Sequence, residues 1–283
     1  MRRVEPRASS VALFKAVLSG LSAVFFPSDC RLCHTPLVSF SRLPVCAECL
    51  AALSPIAVPQ CILCGERLSG AQLLIGNGQC QGCAEYPPEF DRAVSYGEYH
   101  EGLRDLIHLL KYDAVLPAAK ALGRLLALGI ERLHLPAGES ILLVPVPLHS
   151  SKRRERRFNQ SELIARAALK HLPRNFKVDH NALVRHRETR SQVGLDREAR
   201  IQNMSGAFQV AARQRVTGRI IVVVDDVMTT GTTVSECARV LKRSGAAQVF
   251  AATVARTLKA AEGPAFSQES HWEEIEAAQA VSV

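Results

Sequence analysis

Ile220-Ile221-Val222-Val223-Val224-Asp225-Asp226-Val227-Met228-Thr229-Thr230-Gly231-Thr232-Thr233 is the stretch that decides the fold. Its first five residues form an unbroken β-branched run, the composition of a strand buried on both faces of a parallel sheet. Beyond the threonines, Val234, Ala238, Val240 and Leu241 recur at helical spacing, with Lys242 and Arg243 near the end and Gly245 as the stop. Strand, loop and helix in that order predict an α/β domain with a parallel sheet.

The loop has the chemistry of an anion site. A helix start offers backbone N–H groups without partners and the positive end of the helix dipole. Gly231 lets the backbone come close, and Thr229, Thr230, Thr232 and Thr233 add hydroxyls, so a phosphate monoester suits the cradle. Asp225 and Asp226 would repel that phosphate; they read instead as acceptors for sugar hydroxyls, or as groups acting on a hydrated magnesium ion. Phosphate, diol and metal together describe an activated sugar phosphate. The plainer alternative is a buried strand ending in an ordinary acidic turn. No Gly-Lys-Ser/Thr follows the glycine, so the loop does not match a Walker loop, which argues against NTP hydrolysis.

Two upstream segments bear on the same chemistry. Leu142-Leu143-Val144-Pro145-Val146-Pro147-Leu148-His149 reads as a buried strand broken by prolines, and a helix is expected over 161–171. Between them runs Lys152-Arg153-Arg154-Glu155-Arg156-Arg157-Phe158-Asn159-Gln160, either a solvated basic face or a second anion site suited to pyrophosphate. Arg153, Arg156 and Asn159 are the candidates there.

The acidic pair with its threonine-glycine loop closely resembles the 5-phosphoribosyl-1-pyrophosphate (PRPP) signature of type I phosphoribosyltransferases. The prolines and the Arg-x-Phe-Asn-Gln run resemble the corresponding stretch of the ComF family, competence-associated proteins with a phosphoribosyltransferase-like domain. Arg185, Arg187, Thr189, Gln192 and Leu195, then Arg200, Asn203 and Gly206-Ala207-Phe208, are similar to that family's mobile hood segment. Tyr99 to Leu110 with Lys111-Tyr112 resembles its entry into the domain, so the likeness covers nearly the whole chain. It implies a type I phosphoribosyltransferase-like sheet preceded by a double zinc ribbon. It also implies ribose contacts from Asp225 and Asp226, 5-phosphate contacts from Thr229, Thr230, Gly231, Thr232 and Thr233, and magnesium arriving with PRPP. Arg185, Arg187 and Arg200 would be further anion contacts, and Gly206-Ala207-Phe208 packing. One position departs from the pattern: Arg157 stands where the family usually has Gly, and an arginine strains that loop if it needs positive φ.

Two classes of function follow from the resemblance. One is an enzyme moving a phosphoribosyl group from PRPP to a nucleophile, with release of pyrophosphate and a link to DNA uptake. The acceptor stays open between a free base, an amine and a group on DNA. The other is a non-catalytic adaptor that binds single-stranded DNA entering the cytoplasm, works with other competence proteins, and keeps PRPP as a sensed ligand. Either places the chain in the cytoplasm.

Eight of the nine cysteines form four C-x2-C pairs: Cys30/Cys33, Cys46/Cys49, Cys61/Cys64 and Cys80/Cys83. Two such pairs fill one closed tetrahedral zinc site, so two structural zinc ions are expected. Disulfides, redox dithiols and an iron–sulfur cluster are the competing readings. Sequential pairing (Cys30, Cys33, Cys46, Cys49; then Cys61, Cys64, Cys80, Cys83) closes shorter loops than interleaving, which stays open. The segments between the pairs carry too few apolar residues for a core of their own, and metal must replace it. His34 reads as a solvated neighbour and Cys237 as a small buried helix residue.

The chain of 283 residues is 47% hydrophobic, which excludes disorder, collagen and coiled coil as whole-chain descriptions. Residues 1–90 hold 7 basic and 6 acidic side chains, against 27 and 16 over 91–257. A zinc ribbon so nearly neutral lacks the footprint of a module that grips DNA alone, whereas 149–200, with 14 basic and 6 acidic, would attract phosphates. The weakly charged run 11–27 is shorter than the roughly 20 residues of a membrane-spanning helix. Behind Arg2, Arg3 and Arg7 it would also suit a signal peptide, but no small-residue cleavage site precedes Pro27, and its periodicity favours an amphipathic helix. The expected organisation is a helical arm (1–28), a double zinc ribbon (29–90), the phosphoribosyltransferase-like domain (91–257) and an acidic mobile tail (258–283), with helices near 101–111 and 117–133.

Overall fold

A computed structural model of the chain describes residues 29–37, 41–68, 77–136, 138–189 and 197–259. The amphipathic arm and nearly all of the acidic tail lie outside the described residues.

Two copies of one small turn come first. Residues 30–34 and 61–65 each close when the last N–H donates to the first carbonyl, His34 to Cys30 at 2.8 Å and Gly65 to Cys61 at 2.9 Å. Both closing residues take positive φ, 60° and 73°. Each turn is followed by a short helix capped by the next cysteine: Cys46 precedes α1 (Ala47–Ala51) and Cys80 precedes α2 (Gln81–Glu85).

The larger domain begins with β1 (Arg92–Glu98), α3 (Glu101–Lys111), α4 (Ala118–Glu131), β2 (Ile141–Pro145), α5 (Ser150–Arg156), α6 (Gln160–Ala168) and β3 (Phe176–Val178). The hood follows as β4 (Leu183–Arg185), α7 (Arg197–Met204) and β5 (Phe208–Val210), with β4 and β5 paired antiparallel. The chain returns through β6 (Ile220–Met228), α8 (Thr232–Arg243) and β7 (Gln248–Arg256). The main sheet has the order β1-β7-β6-β2-β3, with every neighbour parallel. Expected helices appear within a few residues of their predicted ends. The decisive strand runs four residues past Val224, because Asp225, Val227 and Met228 find ladder partners in Thr253, Ala255 and Arg256 of β7. That pairing overrides the low strand preference of aspartate.

β6 is buried on both sides. Ile220, Val222 and Val224 join Leu106, Ile107 and Leu110 of α3, Leu122 and Leu126 of α4 and Ile164 of α6 in one core. Ile221 and Val223 join Val234, Cys237 and Leu241 of α8 and Leu183, Met204 and Phe208 of the hood in the other. The two cysteine clusters are divided between these cores, Cys30 with the first and Cys61, Cys64, Cys80 and Cys83 with the second. Gly123 brings α4 against α6: a Cβ there would lie 2.5 Å from the Ala167 Cβ and 2.8 Å from the Ala168 nitrogen.

Gly123→Ala should therefore destabilise the protein by about 1–3 kcal/mol through overpacking. Gly129→Ala on the same helix meets nothing closer than 3.5 Å, and the gain in helix preference should leave it neutral or slightly stabilised. Denaturant unfolding of both variants measures the difference, and equal midpoints would contradict the close α4–α6 contact.

Candidate functional site

The carboxyl edge of a parallel sheet is where ligands bind in α/β folds, because loops and helix starts converge there. Asp225 and Asp226 sit on that edge, near the end of β6. Asp225 Oδ1 accepts hydrogen bonds from Ser161 Oγ at 2.8 Å and from the Asp226 backbone N–H at 2.9 Å. Asp226 Oδ1 accepts from the Val227 N–H at 2.7 Å. Lys111 Nζ lies 2.7 Å from Asp226 Oδ2, with side-chain exposures of 15% and 6%. The contact is an ion pair off the hydrogen-bond direction, since Oδ2 accepts no directed bond. Burial, then the charge of Asp226, push Asp225 up to about 7 against the pull of Ser161 and Lys111. Burial works to lower the Lys111 pKa, but the two aspartates outweigh it and the net shift is upward.

The threonine-glycine loop follows directly. Gly231 takes φ 80°, ψ 2° and stands at the start of α8, so the loop turns into the helix through a left-handed residue that glycine adopts without strain. Thr230 and Thr232 hydroxyls bond each other at 2.8 Å. Thr229 is exposed and Thr232 is buried in the first helical turn. A helix start directs its N–H groups and the positive end of its dipole outward, and the dipole of this twelve-residue helix suits an anion.

The basic run is helical, not a loop. Lys152, Arg153 and Arg154 are exposed on α5, and the Arg156 guanidinium lies over the Tyr112 ring, 5.3 Å from its centroid. Arg157 closes α5 in the left-handed region, at φ 64° and ψ −4°, so the position does require positive φ and the arginine is strained. Asn159 caps α6: its Oδ1 accepts from the Ser161 N–H at 3.0 Å and its Nδ2 donates to the Val146 carbonyl at 3.0 Å. Both ends of that amide serve the backbone.

The hood arginines divide by role. Arg200 Nη1 donates to Thr229 Oγ1 at 3.3 Å, tying α7 to the phosphate-type loop. Arg187 Nη2 donates to the Asn203 and Ser205 carbonyls, both at 2.7 Å, and so braces the end of α7. Arg185 bonds Thr189 and lies over the Phe208 ring at 5.5 Å, with its Nε buried and without a hydrogen-bond partner. Ser151 Oγ donates to Glu188 Oε1 at 2.7 Å, joining the hood to the first turn of α5. Gln192 and Leu195 lie outside the described residues.

The cysteines gather sequentially. Cys30, Cys33, Cys46 and Cys49 form one group and Cys61, Cys64, Cys80 and Cys83 the other, with ligand sulfurs within 4.8 Å of one another. Individual Sγ···Sγ distances of 3.9, 3.7 and 3.6 Å match the edge of a tetrahedron, which is about 3.8 Å for Zn–S bonds of about 2.3 Å. N–H groups of Cys46 and Cys49 point at Cys30 and Cys46 sulfurs, at 3.4 Å each, as they do toward thiolates. Each group can hold one zinc ion with no position left open. His34 belongs to neither group, and Cys237 is fully buried in α8. Among the described residues, the groupings of three or more metal-ligating side chains are these two cysteine groups.

Lys111, Ser161 and Arg256 were not singled out by the sequence. Arg256, 2% exposed at the end of β7, donates to Glu66 Oε2 at 3.1 Å and to Cys64 Sγ at 3.6 Å. Lys111 stood in a segment of known likeness but carried no assigned role, and nothing local marks a cation that reaches another element.

The chain is similar to several known proteins. The family described as phosphoribosyl transferase domain matches residues 161–278. The DNA utilization protein YhgH of Escherichia coli strain K12 is 34% identical over 234 residues, 82% of this chain and 98% of that protein. Competence protein F of Haemophilus influenzae is 30% identical over 230 residues, 80% of this chain and 95% of that protein. Among solved structures, an allosteric regulatory enzyme of purine biosynthesis aligns at 24% identity over 49% of this chain and 26% of its own, with a TM-score of 0.30.

The strained residue at the end of α5 gives a test of the site's backbone. Arg157→Gly removes a left-handed penalty of about 1–2 kcal/mol and adds about 0.5–1 kcal/mol of unfolded-state entropy, so it should stabilise the protein by about 0.5–1 kcal/mol. Arg157→Ala keeps the Cβ and should gain nothing. Chemical denaturation of the two variants decides it; a glycine variant less stable than the parent would mean that the arginine side chain outweighs its strain.

Proposed function

The chain belongs to the ComF family, and from that premise we propose that its α/β domain binds magnesium-PRPP and transfers the phosphoribosyl group to a nucleophile, releasing pyrophosphate. The observation that carries this reading is the acid pair at the carboxyl edge of β6, followed at once by a glycine-turned loop that opens α8. In the proposed complex the 5-phosphate rests on the α8 N-terminus with Thr229, Thr230, Gly231, Thr232 and Thr233 around it. Asp225 and Asp226 accept the ribose hydroxyls. The C1–O bond to pyrophosphate breaks with its electron pair leaving on oxygen, the nucleophile bonds to C1 and gives up its proton to solvent, and positive charge develops on the sugar between. Two fixed carboxylates beside that charge stabilise it without reorganisation. Arg153, Arg156, Arg185 and Arg200 are the cations proposed to receive the pyrophosphate. Magnesium would neutralise phosphate charge as part of the substrate. Zinc in the two cysteine groups has a structural role in this reading.

A second reading, an adaptor for single-stranded DNA in the cytoplasm during DNA uptake, rests on a different surface. Lys152, Arg153 and Arg154 of α5 are exposed, and Arg156 of the same helix lies over the ring of Tyr112, itself an exposed residue, so phosphate-attracting charge and one aromatic surface meet at this helix. The names of the relatives, DNA utilization and competence, favour a link to DNA without choosing between turnover and binding. No helix among the described residues is long and apolar enough to cross a membrane.

Changing both Asp225 and Asp226 to Asn should weaken magnesium-PRPP at least about tenfold, because each lost charge-assisted hydrogen bond is worth roughly 1.5–3 kcal/mol. Two zinc ions per chain should remain in the double variant. Calorimetric titration with metal analysis checks this, and undetectable binding to the parent or equal affinity in the variant would overturn the PRPP reading. For the adaptor, charge reversal of Lys152, Arg153 and Arg156 should lower single-stranded DNA affinity for all sequences alike and flatten its salt dependence. Loss of DNA binding on deleting residues 1–90, with no effect of the reversals, would assign the contact to the cysteine ribbons instead.

A further inference from the structure

We propose that Lys111 is a positioning residue of the ribose site: reaching from the end of α3, its ammonium holds the acid pair in the ionised form that accepts sugar hydroxyls. The inference rests on the PRPP reading and extends it to a residue that does not touch the sugar. Its basis is geometric. Two adjacent aspartates share the nearly dry end of one strand, and Lys111 Nζ stands 2.7 Å from Asp226 Oδ2. A hydroxyl needs an acceptor, and an ionised carboxylate offers only acceptors, whereas a protonated one turns half of its capacity into a donor.

The other groups facing the pair do less. Ser161 from α6 donates a neutral hydrogen bond to Asp225. Arg185 from the hood and Cys237 from α8 feel the Asp225 charge, but Arg185 is engaged with Thr189 and Phe208. Tyr99 at the end of β1 feels Lys111, Tyr112, Asp226 and Arg104, and its hydroxyl is bonded to His108 at 2.7 Å. Lys111 is the cation in direct ion-pair contact with the pair among the described residues.

The direction of the pH effect follows. Burial raises Asp225 to about 7, so its ionised form is present above that pH and lost below it. The Lys111 charge pulls Asp225 downward against that burial, so without Lys111 the ionised form appears only at higher pH.

The test is calorimetric binding of magnesium-PRPP between about pH 5.5 and 9 to the parent, Lys111→Met and Lys111→Arg, with Lys111→Gln replacing the Met variant if that fails to fold. PRPP's own titration is common to all, so differences belong to the protein. The Met variant should shift the midpoint for binding upward by about one pH unit or more, and the Arg variant should restore it. A Met variant weakened equally at every pH would overturn the proposal, since Lys111 would then be structural. If the parent does not bind, the PRPP reading falls, and carboxyl carbon NMR of aspartate-labelled, ligand-free protein still decides Lys111: a raised titration midpoint of the pair in the Met variant upholds it, and an unmoved one overturns it.

Discussion

Everything in this molecule follows from the need to cover both faces of β6. Ile221, Val222, Val223 and Val224 are each fully buried, two facing each way, so the strand cannot sit at an edge or present a face to water. Helices α3, α4 and α6 cover one face. The other has only α8 and the short hood elements, and the second cysteine group completes it with all four sulfurs buried. A cysteine cluster that closes a core differs from one that projects into solvent as a nucleic-acid reader. The near-neutral charge of residues 1–90 points the same way.

Covering β6 so thoroughly creates the polar problem at its end. A strand that leaves two apolar cores and then carries Asp225 and Asp226 takes two like charges into a region where water no longer screens them. Four groups answer this: the Ser161 hydroxyl, two backbone N–H groups and the Lys111 ammonium. They do not fully compensate, as the raised pKa of Asp225 attests. A fully satisfied pair would be a structural ion cluster, whereas an under-compensated one keeps a demand for further donors at the sheet edge where a sugar would lie.

What the sequence revealed was local. The β-branched run, the acid pair and the glycine-turned loop sit in one continuous stretch, and loop length favoured the sequential cysteine pairing without deciding it. From the sequence Asn159 reads as an anion contact, and the structure uses it as the cap of α6. The strained Arg157 could be flagged from the glycine expected there, since φ is a local property. Contacts across the chain were not legible. Ser161 meets Asp225 across 64 residues and Arg256 meets Cys64 across 192, and no spacing rule connects residues brought together by a sheet that has yet to form. The division of the two cysteine groups between opposite faces was hidden for the same reason.

Arg256 joins these themes. It ends β7 beside the last residue of β6, with Met228 as its ladder partner, and Met228 immediately precedes the threonine-glycine loop. Its guanidinium turns into the second core to meet Glu66 and the Cys64 sulfur. Breaking a buried pair of this kind by removing one partner costs about 3–5 kcal/mol, because the remaining charge is left unpaired. Cys64 and Cys83 also line a cavity of about 300 Å³ together with Thr230, Gly231 and Thr232, and Phe90 comes within van der Waals reach of a Cβ placed at Gly231. The second cysteine group therefore forms part of the wall behind the phosphate-type loop. Arg256 bonds the Cys64 sulfur and pairs with Met228 in the ladder, and Phe90 lines the same cavity, so both side chains stand where the cysteine group and the loop meet.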